Sequence, residues 1–204
     1  MLFIQEILGY VFIGFIGMLG LAILYLPFCI LLRKRVSIPR QTAFFLLGVC
    51  VLVILAATVC GSVIDRVALG EGLLATNRSY NIIPFHFLTE SWTMGARKQV
   101  TQSFANIVMF IPLGFILPAA VPYTRKLWKT TVFMALFSFM IEFMQYFIGR
   151  SADIDDLMLN TLGGMIGYAI YLLSATLLKQ KKLWIQFTGN RNNDTCEKAG
   201  SEAE

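Results

Sequence analysis

Glu142, Gln145, Arg150, Asp153, Asp155, Asp156 and Asn160 lie close together at the junction of two apolar runs. These are residue types that can do chemistry. Glu142 together with Asp153 or Asp156 could perform acid–base work or hold a divalent cation. Arg150 could grip a phosphate or carboxylate, bidentately in the best geometry. Gln145 and Asn160 could bind hydroxyls or amides, as could Asn106, which interrupts an earlier apolar run. The spacing is that of helices. Gln145 follows Glu142 by three residues and shares its face, while Asp153, Asp156, Asn160, the Gly163–Gly164 pair and Gly167 form one stripe.

Simpler roles account for part of this cluster. Asp153 suits an N-cap, and acidic residues suit the first turn of a helix through its dipole. That explains one or two of the three aspartates. Gly163 and Gly167 form a GxxxG spacing, which lets helices approach closely. Arg150 could lock a turn, but it is the nearest basic neighbour of four carboxylates and is expected to pair with one. Glu142 resists a simple account. An ionisable group inside a membrane costs about 2.5 kcal/mol or more, so it must be protonated, paired or exposed to a polar cavity.

Membrane helices must position these groups. The chain of 204 residues is 57% hydrophobic and only 14% charged, with a mean hydropathy of +0.69. Such a composition cannot give a soluble domain its polar surface. Five apolar runs approach or exceed the roughly 20 residues that cross a bilayer: 7–32, 43–63, 103–122, 130–148 and 157–178. The expected fold is all-α, a polytopic helical membrane protein of about five spans. Residues 1–182 form one membrane domain and 183–204 a polar cytosolic tail.

Basic residues set the orientation. Arg33, Lys34, Arg35 and Arg40 follow the first run, Arg125, Lys126 and Lys129 the third, and Lys179, Lys181 and Lys182 the fifth. The N-terminus is therefore expected outside and the C-terminus in the cytoplasm, with the polar cluster at the outer face. The first run is too long for a signal-peptide core and reads as retained. Gly14, Gly17 and Gly20 within it favour close packing, and the Gly-rich helices could support a homo-oligomer. The second run reads as featureless packing and lipid contact. In the third, Pro112 removes a helix hydrogen bond and predicts a kink. Residues 64–102 form an outer loop by elimination, with an apolar interruption at 81–87 that should lie in the interface.

Several functions are excluded. The net charge of +5 comes from topology clusters rather than a nucleic-acid-binding motif, so no nucleic-acid partner is expected. The four cysteines, Cys29, Cys50, Cys60 and Cys196, have no CxxC spacing and suggest neither a disulfide framework nor a metal site. His86 is the only histidine and reads as an interfacial residue. The chain has no GxSxG, no HExxH and no second histidine for a phosphatase. The aspartate pair also lacks the glycine that a CDP-alcohol transferase pattern requires. No metal and no cofactor is expected.

The motifs together resemble the VanZ family of bacterial membrane proteins associated with teicoplanin (glycopeptide) resistance. The resemblance rests on Asn81-Ile-Ile-Pro84-Phe85, Asn106 with Phe110-Ile-Pro112-Leu113-Gly114, Glu142-x-x-Gln145, and Arg150-x-x-Asp153-Ile-Asp155-Asp156 with Asn160-Thr-Leu-Gly163-Gly164. It covers residues 78–178, in the family's order. It implies a multi-pass protein of the bacterial cell membrane and, in some members, low-level teicoplanin resistance, without an agreed reaction. It also adds Asn81 to a ligand-binding set of Asn106, Glu142, Gln145, Arg150, Asp153, Asp156 and Asn160. The preferred reading is a protein that binds or handles an envelope lipid or lipoglycopeptide, with the lipid bilayer as its other partner. The alternatives are a membrane enzyme acting through the Glu/Asp cluster, or a structural partner subunit.

Overall fold

The computed structural model describes residues 37–70, 72, 74–75, 79–85 and 96–189, together with Gly20, Ile23 and Tyr25. The rest of the first expected span, with Gly14, Gly17 and Cys29, the cluster Arg33 to Arg35, His86 and the tail from 190 to 204 lie outside these residues.

Helix α1 (Ile38–Leu55) opens with Pro39, whose fixed φ and missing N–H suit a first turn. It passes through a π-helical turn at Ala56–Cys60 into α2 (Gly61–Ala68), making one continuous span. Next come a short strand β1 (Tyr80–Asn81), α3 (Ala96–Ala120) and a 3-10 turn at Pro122–Thr124. Then follow α4 (Leu127–Phe147), strand β2 (Ala152–Asp153), α5 (Ile154–Leu177) and α6 (Lys182–Thr188). Among the described residues, four helices are long and apolar enough to cross a membrane: Ile38–Ala68, Thr101–Ala120, Leu127–Phe147 and Ile154–Leu177. They match the second to fifth expected spans. The chain is a multi-pass, all-α membrane protein.

The polarity is inverted relative to a soluble bundle. On α4 the exposed side chains include Phe133, Leu136, Phe139, Met140 and Phe143, while Thr130, Ser138, Glu142 and Gln145 are buried. Hydrocarbon accepts the first group without cost. The second group needs polar partners, which only neighbouring helices supply. Ile54, Phe110, Leu113, Leu117, Met134 and Ile141 pack as the central apolar cluster.

Helices α3 and α5 form the most extensive interface of the bundle. A Cβ on Gly163 would strike the Ile107 carbonyl, one on Gly167 the Ile111 carbonyl, and one on Gly114 the backbone of Gly164. The GxxxG spacing is thus occupied by an intrachain contact. Helix α3 continues through both Pro112 and Pro118, and the neighbouring Arg125 Nε donates to Pro118 O at 3.3 Å.

The polar tail expected from residue 183 begins as structure. Helix α6 packs on α1 and α3, with Trp184 and Phe187 against Tyr168 and Tyr171. Arg40 Nη1 holds it by donating to Ala119 O at 2.7 Å and Thr188 O at 2.6 Å, which satisfies carbonyls at the ends of α3 and α6. This contact forms one end of the bundle. The polar cluster lies at the other.

Candidate functional site

Three helix ends, a π-helical turn and a loop turn build a cavity of about 200 Å³. The π-helical turn contributes Ala57 and Thr58; the start of α3 contributes Gln102, Ala105, Asn106 and Met109. Ile141, Glu142 and Gln145 come from the end of α4, Arg150 from the turn that follows, and Asp156 and Asn160 from the start of α5. Of the expected ligand-binding residues, Asn106, Glu142, Gln145, Arg150, Asp156 and Asn160 line this cavity. Asn81 and Asp153 do not.

The excluded pair forms a latch. Asp153 caps α5, its Oδ1 accepting from Asp155 N at 2.9 Å. The same oxygen accepts from Asn81 Nδ2 at 3.2 Å. Asn81 Oδ1 in turn accepts from Ile83 N at 3.1 Å, closing a local turn. Strands β1 and β2 pair in parallel, Tyr80 with Ala152 and Asn81 with Asp153. Asp155, 3% exposed, accepts from Phe85 N at 2.6 Å. Phe85 has a φ of 63°, a left-handed conformation unusual for a bulky residue and held here by the bond to Asp155. Two of the three aspartates therefore fasten the 79–85 segment over the turn, and the third faces the cavity. Gly149, with a φ of 83°, permits that turn, and a Cβ there would meet Ala75.

The latch also orients Glu142. Its Oε2 accepts from Asp153 N at 2.8 Å. Glu142 is 6% exposed and lines the cavity. Asn106 and the Asp156 carboxylate line the same wall of the cavity. Asn160 is 2% exposed. Its Nδ2 donates to Ser138 Oγ at 3.0 Å, while its Oδ1 has no partner among the described residues.

Arg150 departs from expectation. Among the described residues no close ion pair joins it to a carboxylate. Its Nη1 donates to Thr58 O at 3.2 Å, beside the Gln145 Nε2 that donates to the same carbonyl at 3.1 Å. Glu142 and Asp156 feel its charge from across the cavity. The reason is the π-helical turn: a carbonyl there sits off the regular helical ladder and can accept side chains, and such turns recur at functional sites. The second span, expected to be featureless, thus supplies an anchor. Thr58 was visible in the sequence as a polar residue in an apolar run, but its anchoring atom belongs to the backbone and carries no side-chain signal.

Chemically, the site is a small polar chamber with two carboxylates, one guanidinium and several amides. Among the described residues no three His, Cys, Asp or Glu side chains converge to hold a metal ion.

The VanZ/LLP1 family profile matches residues 44–177. Protein VanZ of Enterococcus faecium is 32% identical over 107 residues, which are 52% of this chain and 60% of that protein. The chain therefore spans less than two thirds of that relative. No solved structure matches.

Proposed function

We propose a function from one premise: the chain belongs to the VanZ/LLP1 family. In this reading it binds the polar headgroup of an envelope lipid at the outer face of the cell membrane. That binding lowers the sensitivity of the cell to teicoplanin and related lipoglycopeptides. The observation that carries the reading is the cavity, where a buried amide oxygen, two carboxylates and a guanidinium meet among apolar helices. Polar groups at membrane depth are costly unless something engages them. The size of the cavity supports a headgroup rather than a whole glycopeptide. A cavity of roughly 150 Å³ takes a benzene, so about 200 Å³ takes a group of about six to ten heavy atoms.

Orientation belongs to the same proposal. Arg125, Lys126, Lys129, Lys181 and Lys182 cluster at the end opposite the cavity, which favours a cytoplasmic position for that end and an outer position for the site.

The test is expression in a susceptible Gram-positive host, wild type against Arg150→Ala and Asp156→Ala at matched membrane levels. The expected outcome is raised tolerance to teicoplanin with the wild type and its loss in both variants. Tolerance unchanged by either variant would remove the cavity from the function.

A further inference from the structure

We infer that the headgroup the cavity takes carries a primary ammonium, alongside an oxygen anion that meets Arg150. This rests on the headgroup-binding reading and narrows it to one chemical class.

The argument begins with the imbalance of donors and acceptors. The charged side chains on the wall, among the described residues, are Glu142, Asp156 and Arg150. The guanidinium is anchored on the Thr58 carbonyl and pairs closely with neither acid. The wall therefore sets two acidic groups against one guanidinium. Three of the wall's side chains offer acceptors. Glu142 has one oxygen engaged by Asp153 N and lines the cavity, Asp156 lines it beside Asn106, and Asn160 Oδ1 is buried with no hydrogen-bond partner among the described residues.

An ammonium has three donors and no acceptor. Its three donors match the three acceptor-bearing side chains Glu142, Asp156 and Asn160 on the wall, and its charge complements the two acids. A hydroxyl has one donor and leaves acceptors unmet. A quaternary ammonium has the charge but no N–H. The remaining guanidinium N–H groups of Arg150 suit a phosphate or carboxylate oxygen on the same headgroup. The matching class is a zwitterion such as an aminoalkyl phosphate, and it fits the volume of the cavity.

The test uses the purified full chain in neutral maltoside micelles. It is titrated with short-chain phosphatidylethanolamine, phosphatidylcholine and phosphatidylglycerol, and with free phosphoethanolamine and glucosamine. Binding is read by native mass spectrometry and thermal shift. Phosphatidylethanolamine should bind about tenfold tighter than the other two lipids, the size expected for a lost charge-assisted hydrogen bond. Binding of free phosphoethanolamine would assign recognition to the headgroup alone. Binding of glucosamine in its place would assign it to an amino sugar. Glu142→Gln keeps an acceptor for Asp153 N while removing the charge, and it should abolish the preference; Asn160→Leu should do the same wherever it folds. Equal or tighter binding of phosphatidylglycerol or phosphatidylcholine, still lost in Arg150→Ala, would overturn the ammonium inference and leave the headgroup reading standing. Binding of every probe unaffected by Arg150→Ala would overturn both.

Discussion

Asp153, Asp155 and Asp156 lie within one turn of α5 yet have different duties, and substitution should separate them. Asp153 caps the helix and holds Asn81. Loss of an N-cap costs about 0.5–2 kcal/mol, so Asp153→Ala should lower the melting temperature in detergent. Asp156 reaches into the cavity, so Asp156→Asn should melt near wild type but bind headgroup probes more weakly. A thermal-shift series run beside a binding titration checks both, and the reverse pattern would reject the division of roles. Arg150 poses a sharper quantitative question. Breaking a buried ion pair costs about 3–5 kcal/mol. A hydrogen bond to a carbonyl contributes about 1 kcal/mol, and Gln145 still serves Thr58 O after Arg150 is removed. Arg150→Ala should therefore destabilise by about 1 kcal/mol in chemical denaturation while losing binding. A loss several times larger would mean that the guanidinium forms a buried ion pair after all.

Among the elements, the contact between α3 and α5 decides whether the cavity exists, because Asn106 stands on one helix and Asp156 and Asn160 on the other. The two backbones meet at Gly114, Gly163, Gly164 and Gly167. Backbone atoms cannot rotate aside as a side chain can, so adding bulk here forces the helices apart. Overpacking typically costs about 1–3 kcal/mol. Gly163→Leu should lower thermal stability by an amount in this range and also weaken headgroup binding. Gly72→Ala, where a Cβ meets only an ordinary contact, should do neither. Equal melting of the two variants would show that the interface yields more readily than its backbone contacts suggest.

For the whole molecule, the bundle places its polar cavity at one end and its basic cluster at the other. Single cysteines in a background without Cys29, Cys50, Cys60 and Cys196 read the orientation directly. Ser151→Cys lies in the exposed turn beside Arg150, and Gln180→Cys lies exposed between α5 and α6. An impermeant maleimide should label the first in intact cells and the second only after permeabilisation. The opposite labelling would invert the proposed orientation and place the cavity at the cytoplasmic face.

The second to fifth spans and the polar cluster were legible in the sequence because both are local properties. A run of apolar residues crosses hydrocarbon whatever its neighbours are, and the three- and four-residue spacing from Asp153 to Gly167 defines a stripe on any helix. The capping role of Asp153 was equally local. Tertiary structure alone decided which way each group faces. Asp155 and Asp156 are adjacent, so they point about 100° apart on a helix of 3.6 residues per turn. Only the rotation of α5 against α3 determines that Asp156 reaches the cavity while Asp155 holds Phe85. The pairing of Asn81 with Asp153 spans 72 positions and leaves no periodic trace in two-residue strands. The anchoring of Arg150 depends on a backbone carbonyl in a π-helical turn, an atom that every residue possesses and that only the path of the chain exposes.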